Sequence, residues 1–390
     1  MFLPGILLLL LPSMLHAYFL MPFPGSQDME TMTAAYYLEK FLIPSRIIGF
    51  LLIILPVLNI YLNGRWRGRI GVTVLLLFMG GLFYMSVIMA SAERMFLEPQ
   101  NKVFAAATTN KVSLDKLVVG VDIGGETKAY PINFIAYHHK VQDTIGGKPV
   151  LVTYCSMCRT AHVYDPVIDG KYQHFRLVGA RHYSAIIEDE GTGSWWYQAS
   201  GEAGAGPMKG KTLADFPSEQ MTLREWIELH PNTLIMQPDT NFADRYANLE
   251  AYERRQTTKT DAESAILGWQ KGAWVLGVTI GNETKAYRWN DIAPIHVIND
   301  KIGTTPLLIT VGNDSLSYAS WKRTVDGETL HFTADSLGKG FRDDCNCFWN
   351  FGGECIDGKY KGKKLEHIQA SQEYWHSWKH FHPQTTQWKS

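Results

Sequence analysis

Two eleven-residue stretches far apart in the chain are nearly the same. Gly120 to Tyr130 reads GVDIGGETKAY and Gly277 to Tyr287 reads GVTIGNETKAY, nine identities in eleven at an offset of 157. Such a match requires the flanks to be compared in the same register, because a missed repeat misassigns a whole fold. The register holds: His139 pairs with His296, Asp143 with Asp300, Gly146 with Gly303 and Pro149 with Pro306. After a five-residue deletion the offset becomes 152, and Gly201-Glu202, Trp226 and His230-Pro231 find Gly353-Glu354, Trp378 and His382-Pro383. The chain is therefore expected to hold one unit twice, packed about a pseudo-twofold axis.

Within the unit the signals are those of strands. Val118–Ile123, Thr127–Ile132, Val150–Cys155, Thr160–Tyr164 and Tyr172–Leu177 are short, rich in β-branched and aromatic residues, and separated by Gly, Asp and Pro. Helix is expected only at the end of each unit, where Thr222-x-x-Glu225 forms a capping-box pattern and Pro231 a stop. The expected organisation is a linker over 93–116, repeat unit one over 117–236, a connector over 237–272 and a degenerate repeat unit two over 273–390. In the connector NFADRYANLEAYERRQ is expected to be partly helical and TTKTDAES loose.

The first 92 residues belong to another solvent. Residues 1–100 hold 6 Lys/Arg and 5 Asp/Glu out of totals of 37 and 38. Three apolar runs, at about 2–20, 45–62 and 70–92, the second uncharged from Ile47 on, match the ~20 apolar residues that a helix needs to cross a bilayer. Arg65, Arg67 and Arg69 are the only charges between the second and third runs, and short Arg-rich loops stay cytoplasmic. That places everything after Ala92 outside. The expected fold class is thus a mainly β (β-rich α+β) extracytoplasmic body of two tandem homologous repeats, preceded by three transmembrane helices. A net charge of −1 gives no basic field for a phosphate backbone, so the membrane is an expected partner and nucleic acid is not.

The residues that carry chemistry are cysteines. Cys155-Ser-Met-Cys158 sits between two strand-like runs, so the thiols bracket a tight turn at a spacing that suits a disulfide or joint ligation of one metal. Haem attachment would need His after the second Cys, where Arg159 stands. With Met157 in the turn and His138 folded nearby, the donor set suits copper or zinc. A redox-active dithiol, with Arg159 favouring a thiolate, is the rival. Unit two has Gly312 and Ser315 at the CxxC positions, and its cysteines stand instead at Cys345, Cys347 and Cys355, additional candidate ligands. Ala205 to Thr212 loosely matches a phosphate loop, but Pro207 and the absence of a following helix signal argue for a turn, and no nucleotide is expected.

These motifs together resemble the uncharacterised bacterial domain-of-unknown-function 3179 family over roughly residues 117–390. The resemblance rests on GGETKAYP (Gly124–Pro131), His138–Asp143, PVLVTYCSMC (Pro149–Cys158), TGSWWYQASGEAGAGP (Thr192–Pro207) and the Trp226/His-Pro ending. The family usually has Trp-His-Glu in place of Tyr137-His138-His139, and Pro-Leu-Cys-Gly in place of Ser156-Met157-Cys158-Arg159. The resemblance implies an address rather than an activity. The expectation is a protein of the bacterial cytoplasmic membrane, its body facing the periplasm or outside, with thiol-based chemistry at the CxxC hairpin. That chemistry is soft-metal binding and transfer, or thiol–disulfide exchange with a metal-handling or redox partner protein. The alternative is a non-enzymatic binding or scaffold module whose cysteines form structural disulfides.

Overall fold

The computed structural model describes residues 2–254, 269, 272–335 and 339–389. The apolar runs form three helices long and apolar enough to cross a membrane: α1 (Phe2–Leu20), α2 (Met32–Asn63) and α3 (Trp66–Tyr84), the last prolonged by a π turn over Met85–Met89. The second helix starts about three and a half turns before the expected residue 45 and runs through Pro44 and Pro56. Its early start has a packing cause: Met32, Ala35 and Tyr36 close a core with Val178, Ile186, Trp195 and Ala205.

Those partners belong to a sheet ordered Ala203–Ala205, Trp195–Tyr197, Ser184–Asp189, Phe175–Arg181. By contacts the chain divides into two compact units, residues 1–97 with 173–212, and residues 98–172 with 213–390. In the first, Arg181 is wholly buried, and its guanidinium donates to the carbonyls of Phe19 (2.9 Å), Ser26 (2.7 Å) and Met29. One side chain thereby holds the end of α1 and the loop that leads to α2.

The second unit is β-rich. A five-stranded sheet runs Phe104–Ala106, Leu234–Met236, Glu126–Pro131, Leu117–Ile123, Glu219–Thr222, and a four-stranded one runs Ala370–Tyr374, Trp274–Ile280, Glu283–Arg288, Thr386–Gln387. Leu234–Met236 pairs in parallel with Glu126–Pro131, and Thr386–Gln387 with Glu283–Arg288; the other pairs, that of Phe104–Ala106 with Leu234–Met236 included, are antiparallel. A three-stranded antiparallel meander, Lys140–Ile145, Lys148–Cys155, Thr160–Tyr164, carries the CxxC hairpin. Apolar alternation fills two cores, one with Val119, Tyr130, Ile135 and Val152, the other with Leu276, Tyr287, Ile292 and Ile309.

Several contacts recur. Tyr130 Oη donates to Asp143 (2.7 Å) and Tyr287 Oη to Asp300 (2.8 Å), while Trp226 Nε1 donates to Thr233 (2.8 Å) and Trp378 Nε1 to Thr385 (2.9 Å). A Cβ on Gly120 would lie 2.3 Å from the Trp226 ring, and one on Gly277 2.2 Å from the Trp378 ring, so each indole demands a glycine beneath it.

Three expectations need correction. A helix, Ile132–His138, lies inside the first stretch; all seven residues are buried, so it shows no polar face. The expected strand at 172–177 is instead Lys171–Tyr172 followed by Phe175–Arg181. Part of the 93–116 stretch is sheet, since Phe104–Ala106 pairs with Leu234–Met236. The connector is helical over Ala243–Arg254, and TTKTDAES lies outside the described residues.

Candidate thiol site

Strand pairing places Cys155 opposite Thr160, so the hairpin turn is Ser156 to Arg159. Arg159 N–H donates to the Cys155 carbonyl at 2.7 Å, an i to i+4 closure, and Arg159 takes the left-handed conformation with φ 59°. The turn is thus one residue longer than a β-turn. Both thiols point inward and are fully buried. The Cys158 thiol faces Cys155, and its Sγ lies 3.9 Å from the Cys155 carbonyl oxygen. All five cysteines are thiols in this structure.

The hairpin meets strand Ala370–Tyr374, whose Tyr374 N–H donates to the Cys158 carbonyl at 2.9 Å. From that strand Glu373 turns its carboxyl, 2% exposed, toward the two cysteines, and its Oε1 has no hydrogen-bond partner. Burial pushes the Glu373 carboxyl well above the usual range; the Cys155 sulfur adds to this, and the Thr160 and Ser377 hydroxyls offset part of it. Burial also pushes the Cys158 thiol up, with the Cys155 thiol and the Glu373 carboxyl as further causes. Burial thus favours the uncharged forms of the Cys158 thiol and the Glu373 carboxyl. The Arg159 guanidinium lies 4.0 Å above the Trp274 ring, so its charge is spent on an aromatic face.

The other expected donors go elsewhere. His138 is buried and its Nε2 lies 2.6 Å from Tyr246 Oη, with Phe242 packed edge-on against the ring. Met157 is half-buried in the turn. Cys347 and Cys355 are buried with their thiols facing one another, Cys355 being pushed up to about 11 by burial and then by Cys347. Cys345 is exposed, and the Asp343 carboxylate accepts its N–H and that of Cys347, both at 2.9 Å. Among the described residues, Cys155 and Cys158 belong to no group of three or more His, Cys, Asp or Glu donors within 4.8 Å of one another. By that measure no third donor, Glu373 included, closes on both sulfurs; Glu373 acts on the pair as a facing charge. Glu373, which faces the pair, carries no sequence signal, since it stands in an ordinary SQEYW segment.

A second polar feature lies on the same β-rich unit, a cleft of about 150 Å³ lined by Asp122, Glu219, His230, Lys364 and His367. Burial pushes the Glu219 carboxyl up to about 7, with Lys364 pulling it down and Asp122 pushing it up. Burial brings His367 down to about 4, and Lys364 adds to that.

Residues 99–385 match the family described as protein of unknown function, DUF3179, and the chain belongs to it. No curated protein and no solved structure matches the chain.

Proposed function

We propose that this member of the DUF3179 family is a membrane-anchored protein whose body, on the outer side of the membrane, performs thiol–disulfide exchange at Cys155 and Cys158. The observation that carries the reading is the buried pair Cys155 and Cys158 with the buried Glu373 carboxyl facing it, where burial favours the uncharged forms of Cys158 and Glu373. A buried site favours states without charge. A dithiol and a disulfide are both neutral, whereas copper or zinc binding calls for thiolates and further donors. In the exchange, one cysteine gives up its proton and its thiolate attacks a partner's disulfide, displacing a partner thiolate that takes up that proton. The second sulfur then displaces the first partner sulfur, closing the Cys155–Cys158 bond and leaving two partner thiols that take up the two protons. Access is from the side of the turn, where Ser156 and Met157 are half-buried.

The body is further read as two copies of one unit about a pseudo-twofold axis. Support comes from the recurring Tyr–Asp and Trp–Thr bonds and from Gln220 Nε2, which donates at 3.0 Å to Gln372 Oε1, its equivalent at the 152 offset. On this reading the thiols come from one copy and Glu373 from the other. The second copy's matching turn keeps no cysteine; there Asp314 accepts from Ser317 Oγ and from Thr222 Oγ1.

The experiment is exchange with a fluorescent peptide disulfide, followed on the full chain in detergent. Cys155→Ser and Cys158→Ser are expected to abolish exchange with the melting temperature kept, while Cys345→Ser retains it. Unchanged exchange in both single variants would sink the proposal.

A further inference from the structure

Within the first unit a cavity of about 440 Å³ opens where α1, α2 and the end of α3 meet strand Phe175–Arg181. Its polar lining includes Lys40, Arg46, Arg176, Glu39 and Glu93, three cations against two carboxylates. Arg176 is spent on Glu39, Glu93 and Glu188, and Glu39 also accepts from His16 at 3.1 Å. Arg46 and Lys40 are left over. Arg46 bonds only the Ser13 hydroxyl, at 3.1 and 3.3 Å, and lies over the Phe83 ring, while Lys40 lies over Tyr36. Neither has an ion-pair partner among the described residues. Beside these cations the lining turns apolar, with Leu42, Ile43 and Val87.

The depth is informative. Arg46 precedes Leu62 by 16 residues and Ser86 follows Ile70 by 16, so both lie about 24 Å along their helices from the Arg65–Arg69 loop. In a bilayer core about 30 Å thick that is the zone under the opposite headgroups. A hollow there with two cations outside the ion pairs of the described residues on one side and aliphatic walls on the other matches an anionic head joined to an acyl chain. We propose that this cavity binds one anionic phospholipid by its headgroup phosphate, with Arg46 and Lys40 as the phosphate donors. The inference rests on the membrane reading of the three helices and is independent of the thiol site.

The test is native mass spectrometry of the full chain in dodecyl maltoside, titrated with palmitoyl-oleoyl phosphatidylglycerol, with the phosphatidylcholine of the same chains, and with inorganic phosphate as competitor. One phosphatidylglycerol is expected to stay bound, with phosphatidylcholine markedly weaker and inorganic phosphate unable to displace it. Arg46→Gln and Lys40→Gln are each expected to weaken retention about fivefold, while Arg67→Gln in the opposite loop leaves it unchanged. Lys40 is exposed, so its variant keeps the test valid if Arg46→Gln fails to fold. Equal retention of the two lipids, or retention unaltered in both variants, would overturn the inference. Displacement by inorganic phosphate would overturn it too, by assigning the cavity to a soluble anion.

Discussion

Two carboxyls of the β-rich unit, Glu373 buried and Glu219 half-buried, are pushed up by burial. Glu373 faces sulfur, where its ionised form and a thiolate oppose one another, so the cluster resists holding two negative charges. Glu219 lines the cleft, and there the sign of the pH effect follows directly. Its folded value of about 7 lies above the ordinary 4.5, so the native state binds the proton more tightly. The contribution to stability is complete below about pH 4.5 and is lost as pH rises through about 7. Glu219→Gln does not ionise, and thermal melts are expected to show the variant gaining on the native protein between pH 4.5 and pH 8. A difference independent of pH would contradict this. At this scale the cysteines were legible because their chemistry goes with residue type. Glu373 was not, because its importance comes from burial beside residues more than two hundred positions earlier in the chain.

Elements were legible where their surroundings are asymmetric. The strands Leu117–Ile123, Glu126–Pro131 and Thr160–Tyr164 were readable from β-branched residues between turn signals. The cap at Thr222 was also readable, and its hydroxyl does accept from Glu225 N–H, at 3.4 Å. The reciprocal half of the capping box is not made, because Thr222 N–H donates to Ser317 instead. Helix Ile132–His138 escaped for the opposite reason: buried on every side, it has no period to read. The early start of α2 escaped because it depends on a sheet some 140 residues further on, which the apolar run by itself cannot announce. Arg181 belongs to this scale, as the tie between a strand and the α1–α2 loop. Arg181→Ala strands three carbonyls and is expected to cost about 2–4 kcal/mol, read as a lowered melting temperature. An unchanged melt would show that the loop holds without it.

For the whole chain, the uneven distribution of charge separated 92 residues of three apolar helices from a β-rich family domain before any geometry was known. What charge distribution could not show is that residues 173–212 form one compact unit with those helices, since that grouping is made by packing rather than by chain order. The orientation is testable by fusion: an alkaline phosphatase joined after Ser390 is expected to be active in a bacterial periplasm, and activity only of a cytoplasmic reporter would reverse the topology. The thiol proposal is tested most directly by a redox titration. The full chain in detergent is equilibrated across glutathione buffers, quenched by alkylation and mapped by peptide mass spectrometry. The expected result is one reversible two-electron transition that joins Cys155 to Cys158 while the melting transition persists. Thiols that stay reduced across the whole range, or a bond that forms only as the protein unfolds, would contradict a redox role for the hairpin.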